Sequence, residues 1–252
     1  MKKKIIAIVN QKGGVGKTTT AINLSSSLAL KNVKVLVVDL DPQGMATAGL
    51  GMTREEKKGI YQALMNGEQI EQCIYPTQQK NLYICPSTFE LAGAEAELYI
   101  LEEREQKLRE ALISLKNNFD FILIDCPPSL GFLTINALTA ADSVLIPVQC
   151  EFFCMEGIPD LFRTLDEVRT YLNPSLQIEG ILLTMYDERT NLSKQVAEEI
   201  RQSLKGIIYE TIIPRTIRLA EAPSFGKPII FYDNKSKGAQ AYLNFAEEIL
   251  SR

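Results

Sequence analysis

Apolar residues follow two alternating rhythms along the chain. Short, nearly continuous apolar and β-branched runs occur at Ile5–Val9, Val33–Val38, Leu82–Ile84, Phe121–Ile124, Ser143–Val148 and Ile178–Thr184. Such runs, bounded by polar residues, are what strands buried on both faces look like. Between them lie longer stretches with apolar residues three and four apart: Thr18–Leu30, Leu91–Leu115, Phe152–Leu172, Leu192–Leu204 and Ala239–Ile249. That spacing predicts helices, and Leu91, Ala94, Leu98, Leu101, Leu108, Leu112 and Leu115 continue one stripe through the second of them. Strands alternating with helices predict an α/β fold, a mostly parallel sheet flanked by helices on both faces. No repeat, low-complexity tract or Pro/Gly/Ser-rich linker interrupts residues 1–252, so a single domain is expected. In such sheets ligands bind beyond the carboxyl ends of the strands.

Composition narrows the chemistry. The 252 residues are 46% hydrophobic and 23% charged, an ordinary globular balance. The basic start Lys2-Lys3-Lys4 leads into only five apolar residues, too few for an export signal, and no run reaches the ~18 of a membrane span. A cytoplasmic location is expected. Five scattered cysteines, without a CxxC pair, fit reduced thiols. Cys150 and Cys154 lie four apart, but the chain has no histidine to complete a mixed zinc site. The missing histidines also exclude a His-based triad or a His general base. Chemistry must therefore run on carboxylates, lysines, arginines, backbone amides and bound metal. The net charge of −4 excludes a globally cationic nucleic-acid binder. The residues from Met185 onward, with ten Lys+Arg against nine Asp+Glu, leave room for a local basic patch.

The first strand runs into Asn10-Gln11-Lys12-Gly13-Gly14-Val15-Gly16-Lys17-Thr18-Thr19, and a helical pattern follows at once. Strand, glycine-rich turn and helix N-terminus are the context of a P-loop. The glycines let successive amides of Gly13, Gly14, Val15 and Gly16 turn toward phosphate oxygens, and the helix dipole adds positive potential. Lys17 is expected to reach the β- and γ-phosphates, Thr18 to bind Mg²⁺, and Thr19 to hold the α-phosphate. The general motif places glycine at position 11, where this chain has Gln11; a second lysine, Lys12, precedes the glycines instead.

This lysine-first form, K-G-G-x-G-K-T-T, resembles the deviant Walker A motif of the ParA/MinD superfamily. The resemblance implies an ATPase that closes as a homodimer on ATP, with Lys12 crossing to the nucleotide of the other subunit, much as an arginine finger does. Asp39-Leu40-Asp41-Pro42-Gln43-Gly44 resembles the family's D-x-D-P-Q-G segment. By that likeness Asp41 positions the attacking water and Asp39 supports the magnesium shell. Phe121–Ile124 ends in Asp125, a Walker B pattern in which the carboxylate reaches Mg²⁺. With no histidine and no strong base, turnover is expected to be slow and driven by positioning and charge neutralisation.

Ile212-Ile213-Pro214-Arg215 and Leu219-Ala220-Glu221-Ala222-Pro223-Ser224-Phe225-Gly226-Lys227-Pro228 look like the signature of ParA/Soj partitioning proteins, and the likeness spans Lys4 to Ile249. It implies that Met185, Pro214 and Arg215 surround adenine. It also implies that Arg189 and Arg218 contact DNA phosphates without reading sequence, with Lys194, Arg201, Lys205, Lys227, Lys235 and Lys237 as possible neighbours. The partners implied are double-stranded DNA and a ParB/Spo0J-like activator, with association to the nucleoid in the ATP state and no membrane. A MinD-like membrane ATPase would need a basic amphipathic C-terminal helix, whereas Ala239–Arg252 carries Glu247 and Glu248 and a single cation. A cluster-carrying relative would use Cys126 and Cys154, whose neighbours resemble ParA proteins instead. A third alternative is an ATP-gated interaction switch with negligible turnover.

Overall fold

Alternate residues of each central strand feed two separate cores. Ile5, Ala7, Val9, Leu36, Val38, Ile122 and Ile124 point to one face of the sheet, and Ile6, Ile8, Val35, Val37, Phe121 and Leu123 to the other. A strand with both faces buried must be apolar throughout, which is why these runs do not alternate with polar residues. In the computed structural model, which describes residues 3–55, 58–151, 157–204 and 206–252, the elements succeed one another as expected for an α/β chain. They are β1 (Lys4–Ile8), α1 (Lys17–Leu30), β2 (Val35–Asp39), α2 (Met45–Gly49), α3 (Ile60–Met65), β3 (Tyr75–Pro76), β4 (Leu82–Cys85), α4 (Ala94–Tyr99) and α5 (Lys107–Leu112). There follow β5 (Phe121–Asp125), α6 (Phe132–Ala140), β6 (Ser143–Gln149), α7 (Ile158–Tyr171), β7 (Gln177–Tyr186), α8 (Asn191–Ser203), β8 (Ile208–Pro214), α9 (Ile217–Glu221), α10 (Ile229–Tyr232) and α11 (Lys237–Ser251).

The strands form one sheet in the order β3-β4-β2-β5-β1-β6-β7-β8, parallel except for the antiparallel β3–β4 pair. Helices α3 to α8 cover one face; α1, α2, α9, α10 and α11 cover the other. β1 lies in the middle, between β5 and β6. The chain passes from β1 to one side of the sheet and from β5 to the other, so a crevice opens beyond the carboxyl end of β1. In β5, Asp125 is level with Asp39 of β2 on one side and Ile8 of β1 on the other. Both ends of the described chain sit at the opposite edge: Lys4 begins β1, and Arg252 donates to the Ile208 carbonyl at the start of β8 (3.2 Å).

One expectation needs correction. The stripe from Leu91 to Leu115 is not one helix. It breaks into a 3-10 turn at Phe89–Gly93, then α4, then α5, then another 3-10 turn at Ile113–Leu115. Glu103 in the gap has φ +52°, which a helix cannot absorb. The gap is held from outside: buried Asn136 of α6 donates to the Arg104 carbonyl (2.7 Å) and accepts from the Leu108 N–H (3.0 Å), capping the restart at α5. Arg104 then lies over the rings of Tyr99 and Phe132. The predicted helix from Phe152 is described from Ile158 onward; Cys154 and Lys205 lie outside the described residues.

α11 packs Ala239, Tyr242, Phe245, Ala246 and Ile249 into the second core, in keeping with their helical spacing in the sequence. Among the described residues no helix is long and apolar enough to cross a membrane.

Candidate functional site

The loop after β1 is tied to the sheet on both sides. Asn10 donates to the Pro147 carbonyl at the end of β6 (2.8 Å) and accepts from the Lys12 N–H (2.9 Å). Thr184 of β7 donates to the Val15 carbonyl (2.8 Å). Gly14 and Gly16 have φ of +76° and +93°, left-handed values that let the chain curl before α1 begins at Lys17. Gly16 occupies the helix N-cap, and no side chain caps the first turn, so its N–H groups remain available to an anion.

Lys17 folds back over the loop and donates to the Lys12 carbonyl (3.3 Å). It is buried, and burial lowers its pKa against the pull of Asp125, Cys126 and Asp41. Asp125 is fully buried, and neither carboxylate oxygen has a hydrogen-bond partner. Burial and the neighbouring Asp39 push its pKa well up, while Thr18 and Lys17 act in the other direction without reaching hydrogen-bond geometry. An orphaned buried carboxylate beside a threonine hydroxyl and a lysine is a defect in an apolar core, and it fits a divalent cation. Among the described residues no three acidic or cysteine side chains converge on one point. The donor set suits Mg²⁺, which keeps waters and takes phosphate oxygens rather than a full protein cage.

Asp39 is occupied differently. Its Oδ2 accepts from both the Thr47 N–H (2.7 Å) and the Thr47 hydroxyl (2.6 Å), and its Oδ1 from the Asp41 N–H (3.3 Å). Burial raises its pKa to about 6, with Thr47 opposing and the Asp41 charge adding to the shift. The Thr47 hydroxyl in turn accepts from the Ser87 N–H (3.0 Å). Asp39 thus anchors the start of α2, the geometry of a support. Asp41 lies two residues on in a tight turn, where its carboxylate accepts from the Gln43 N–H (2.9 Å) and its carbonyl from the Gly44 N–H (2.9 Å).

Met185, Pro214 and Arg215, which the family resemblance assigns to adenine, line one cleft of about 330 Å³ with Gly16, Thr19, Ile217 and Tyr242. Tyr186 of β7 pairs with Pro214 of β8, and the Arg215 N–H donates to the Tyr186 carbonyl (2.9 Å), which sets the two segments side by side. Met185 has φ +52°. The mouth beside it, bordered by Lys12, Glu151, Asp187 and Arg215, is strongly charged. The Lys12 ammonium has no ion-pair partner among the described residues.

Arg189 and Arg218 also lie beyond the carboxyl ends of strands, after β7 and β8. Arg189 is 83% exposed and grips Asp187 with two bonds (2.9 and 2.7 Å), which holds the Asp187 carboxyl well below its usual range. Arg218 pairs with Glu221 (3.0 Å) and Asp233 (3.6 Å). Lys237 pairs with Glu188 (2.5 Å). The sequence reading missed the residues that position this edge from behind, namely Asn10, Thr47 and Thr184. Only Asn10, a polar residue closing an apolar strand, offered a local signal.

Residues 3–178 match a family model described as an AAA domain. The chain is 54% identical over 250 residues to the chromosome partitioning protein ParA of Myxococcus xanthus, covering 99% of this chain and 88% of that protein. It is 53% identical over 247 residues to the sporulation initiation inhibitor protein Soj of Bacillus subtilis, covering 98% of each. Among solved structures, a cobyrinic acid a,c-diamide synthase from Mycobacterium smegmatis with bound ADP and magnesium superposes with a TM-score of 0.86 at 37% identity, over 99% of this chain and 94% of that one.

Proposed function

The chain belongs to the ParA/Soj family of partitioning ATPases, and from that premise we propose that it binds and slowly hydrolyses ATP with Mg²⁺, as a nucleotide-gated dimer that holds DNA. The observation that carries the reading is Asp125: a buried carboxylate without a partner, set level with β1's end beside Thr18 and Lys17. A cation bound there neutralises phosphate charge and makes the γ-phosphate more open to attack.

The rest of the chemistry falls to the chain. The amides of residues 13–19 cradle the phosphates, Lys17 contacts the outer ones, and Thr18 and Asp125 hold the metal. Asp39 keeps α2 in place and stays out of direct coordination. Asp41 orients water for in-line attack. Met185, Pro214 and Arg215 enclose the base. Lys12 stands at the mouth of the site and completes the charge cage of a second copy. The turnover this predicts is slow, because nothing in the site deprotonates water outright.

Arg189 and Arg218 provide the DNA contact. Each is neutralised within the chain by acidic neighbours, Arg189 by Asp187 and Arg218 by Glu221 and Asp233, but both guanidiniums stay exposed to water, so a phosphate can compete for them. Contacts of that kind address the backbone and give no sequence preference. A ParB/Spo0J-like protein is the activator that accelerates hydrolysis and release, and the ATP-bound dimer is nucleoid-associated.

DNA binding by wild type, Lys12→Ala, Asp41→Ala and Arg218→Glu, with ATP and with ADP across a salt series, tests this. Asp41→Ala should be trapped with ATP and bind best; Lys12→Ala and Arg218→Glu should lose binding. The slope of log K against log salt should flatten by about 0.9 for each phosphate no longer neutralised. If wild type and Asp41→Ala dimerise on ATP yet ignore DNA at low salt, the partitioning reading fails.

A further inference from the structure

The turn that carries Asp41 is held from behind by a side chain that no sequence motif singled out. Arg54 lays its aliphatic arm across Gly44, so closely that a Cβ at Gly44 would come within 2.5 Å of Arg54 Cδ and 2.7 Å of Nε. Gly44 is in the left-handed region, φ +66°, and closes the turn through its N–H to the Asp41 carbonyl. The guanidinium then spans two backbone segments. It donates to the Gln43 carbonyl (3.4 Å) and to the Thr88 carbonyl (3.2 Å), and its face lies 4.5 Å from the centre of the Phe89 ring. Its Nε is buried without a partner. The same segment after β4 backs the other acid of β2, through the Ser87 N–H, the Thr47 hydroxyl and Asp39.

We propose that Arg54 is a positioning residue for ATP hydrolysis, clamping the Asp41–Gly44 turn against residues 87–89; this rests on the assignment of Asp41 to the attacking water. The physical ground is the planar fork, which reaches two carbonyls at once and stacks on a ring, a geometry that an ammonium cannot reproduce. Gln43, whose carbonyl Arg54 holds, is also the residue whose N–H binds the Asp41 carboxylate. Freedom in Gln43 is therefore freedom in the carboxylate. A displacement of about 1 Å in a group that orients a reactant costs on the order of 100-fold in rate. The phosphate loop is built from other residues, so nucleotide affinity does not depend on the clamp.

Single-turnover hydrolysis of Mg·ATP by the full chain tests this, together with the affinity for a fluorescent ATP analogue. The variants are Arg54→Ala, Arg54→Lys, Asp41→Ala and the Arg54→Ala/Asp41→Ala double. Arg54→Ala should slow hydrolysis about 10- to 100-fold while affinity stays within about two-fold, the pattern of a lost transition-state interaction. Arg54→Lys should recover only part of the rate. In the Asp41→Ala background, Arg54→Ala should cost nothing more, because the two residues act in series. Retained nucleotide affinity certifies that each variant is folded. If Asp41→Ala abolishes turnover but Arg54→Ala leaves it intact, the clamp is wrong and the Asp41 assignment stands. If Arg54→Ala weakens affinity and rate together in both backgrounds, the residue is merely structural and the proposal is overturned. If Asp41→Ala turns over normally, the Asp41 assignment fails and the clamp with it.

Discussion

Replacing Asp125 by asparagine separates the cost of that carboxylate from its use. The group is fully buried, has no hydrogen-bond partner, and lies level with a second buried acid, Asp39. Burying an unpaired ion costs several kcal/mol, which the group limits by taking up a proton. The uptake is itself a penalty of about 1.4 kcal/mol for each pH unit by which the medium lies above the ordinary carboxylate range, up to the raised pKa. An isosteric amide carries no charge, so Asp125→Asn should stabilise the free chain by about 1–3 kcal/mol. For a domain of this size, 1 kcal/mol corresponds to roughly 2–4 °C, and a rise in Tm of about 2–12 °C follows. The advantage shrinks once ligand is present. Wild type with Mg·ATP at about 100 times its Kd gains about 2.7 kcal/mol, and the variant should lose the part of that gain that depends on Mg²⁺. Thermal unfolding in EDTA and in Mg·ATP measures both arms. A variant that is no more stable in EDTA, and that keeps the full Mg²⁺-dependent shift, would refute the reasoning.

Two further outcomes follow from other groups. Asn136→Ala removes three hydrogen bonds and strips the cap from α5, leaving the Leu108 N–H and the Arg104 carbonyl without their partner; unfolding should show a loss of about 2–4 kcal/mol with little change in ATP affinity. Asp39, raised by burial to about 6, binds its proton more tightly folded than unfolded, so its contribution to stability is present at low pH and is lost as pH rises from about 4 through 6. Without nucleotide and metal, wild type should therefore lose more stability than Asp39→Asn between pH 5 and pH 7.5, and equal slopes would count against the shift.

What the sequence displayed and what it concealed divide along a physical line. The six central strands were legible because burial on both faces forces continuous apolar runs. β8 was not, because Ile208–Pro214 is an edge strand with Glu210 exposed, and its residues read more readily as a loop. The break after α4 was invisible locally: Leu101 and Leu108 keep helical spacing, and the residue that holds the gap and caps the restart at α5, Asn136, belongs to another element. At the site, the phosphate loop and the aspartates closing β2 and β5 were legible because their chemistry is contiguous in the chain. Thr47, Thr184 and Arg54 were not, because each acts on a backbone group that only the fold brings near. Arg54 lies outside every motif read from the sequence, and its partner Gly44 looked like a turn glycine rather than a seat for a side chain.

The position of the two chain ends has a practical consequence for watching this protein at work. Lys4 enters β1, and Arg252 leaves α11, at the amino-terminal edge of the sheet. The glycine-rich loop, the aspartates and the exposed Arg189 and Arg218 all lie at the other edge. A fluorescent protein fused at either end is thus carried across the full length of the strands from the working surface, and a handle for immobilisation can be attached there too. Reporters inserted in the turns after β2, β7 or β8 would sit on the machinery itself.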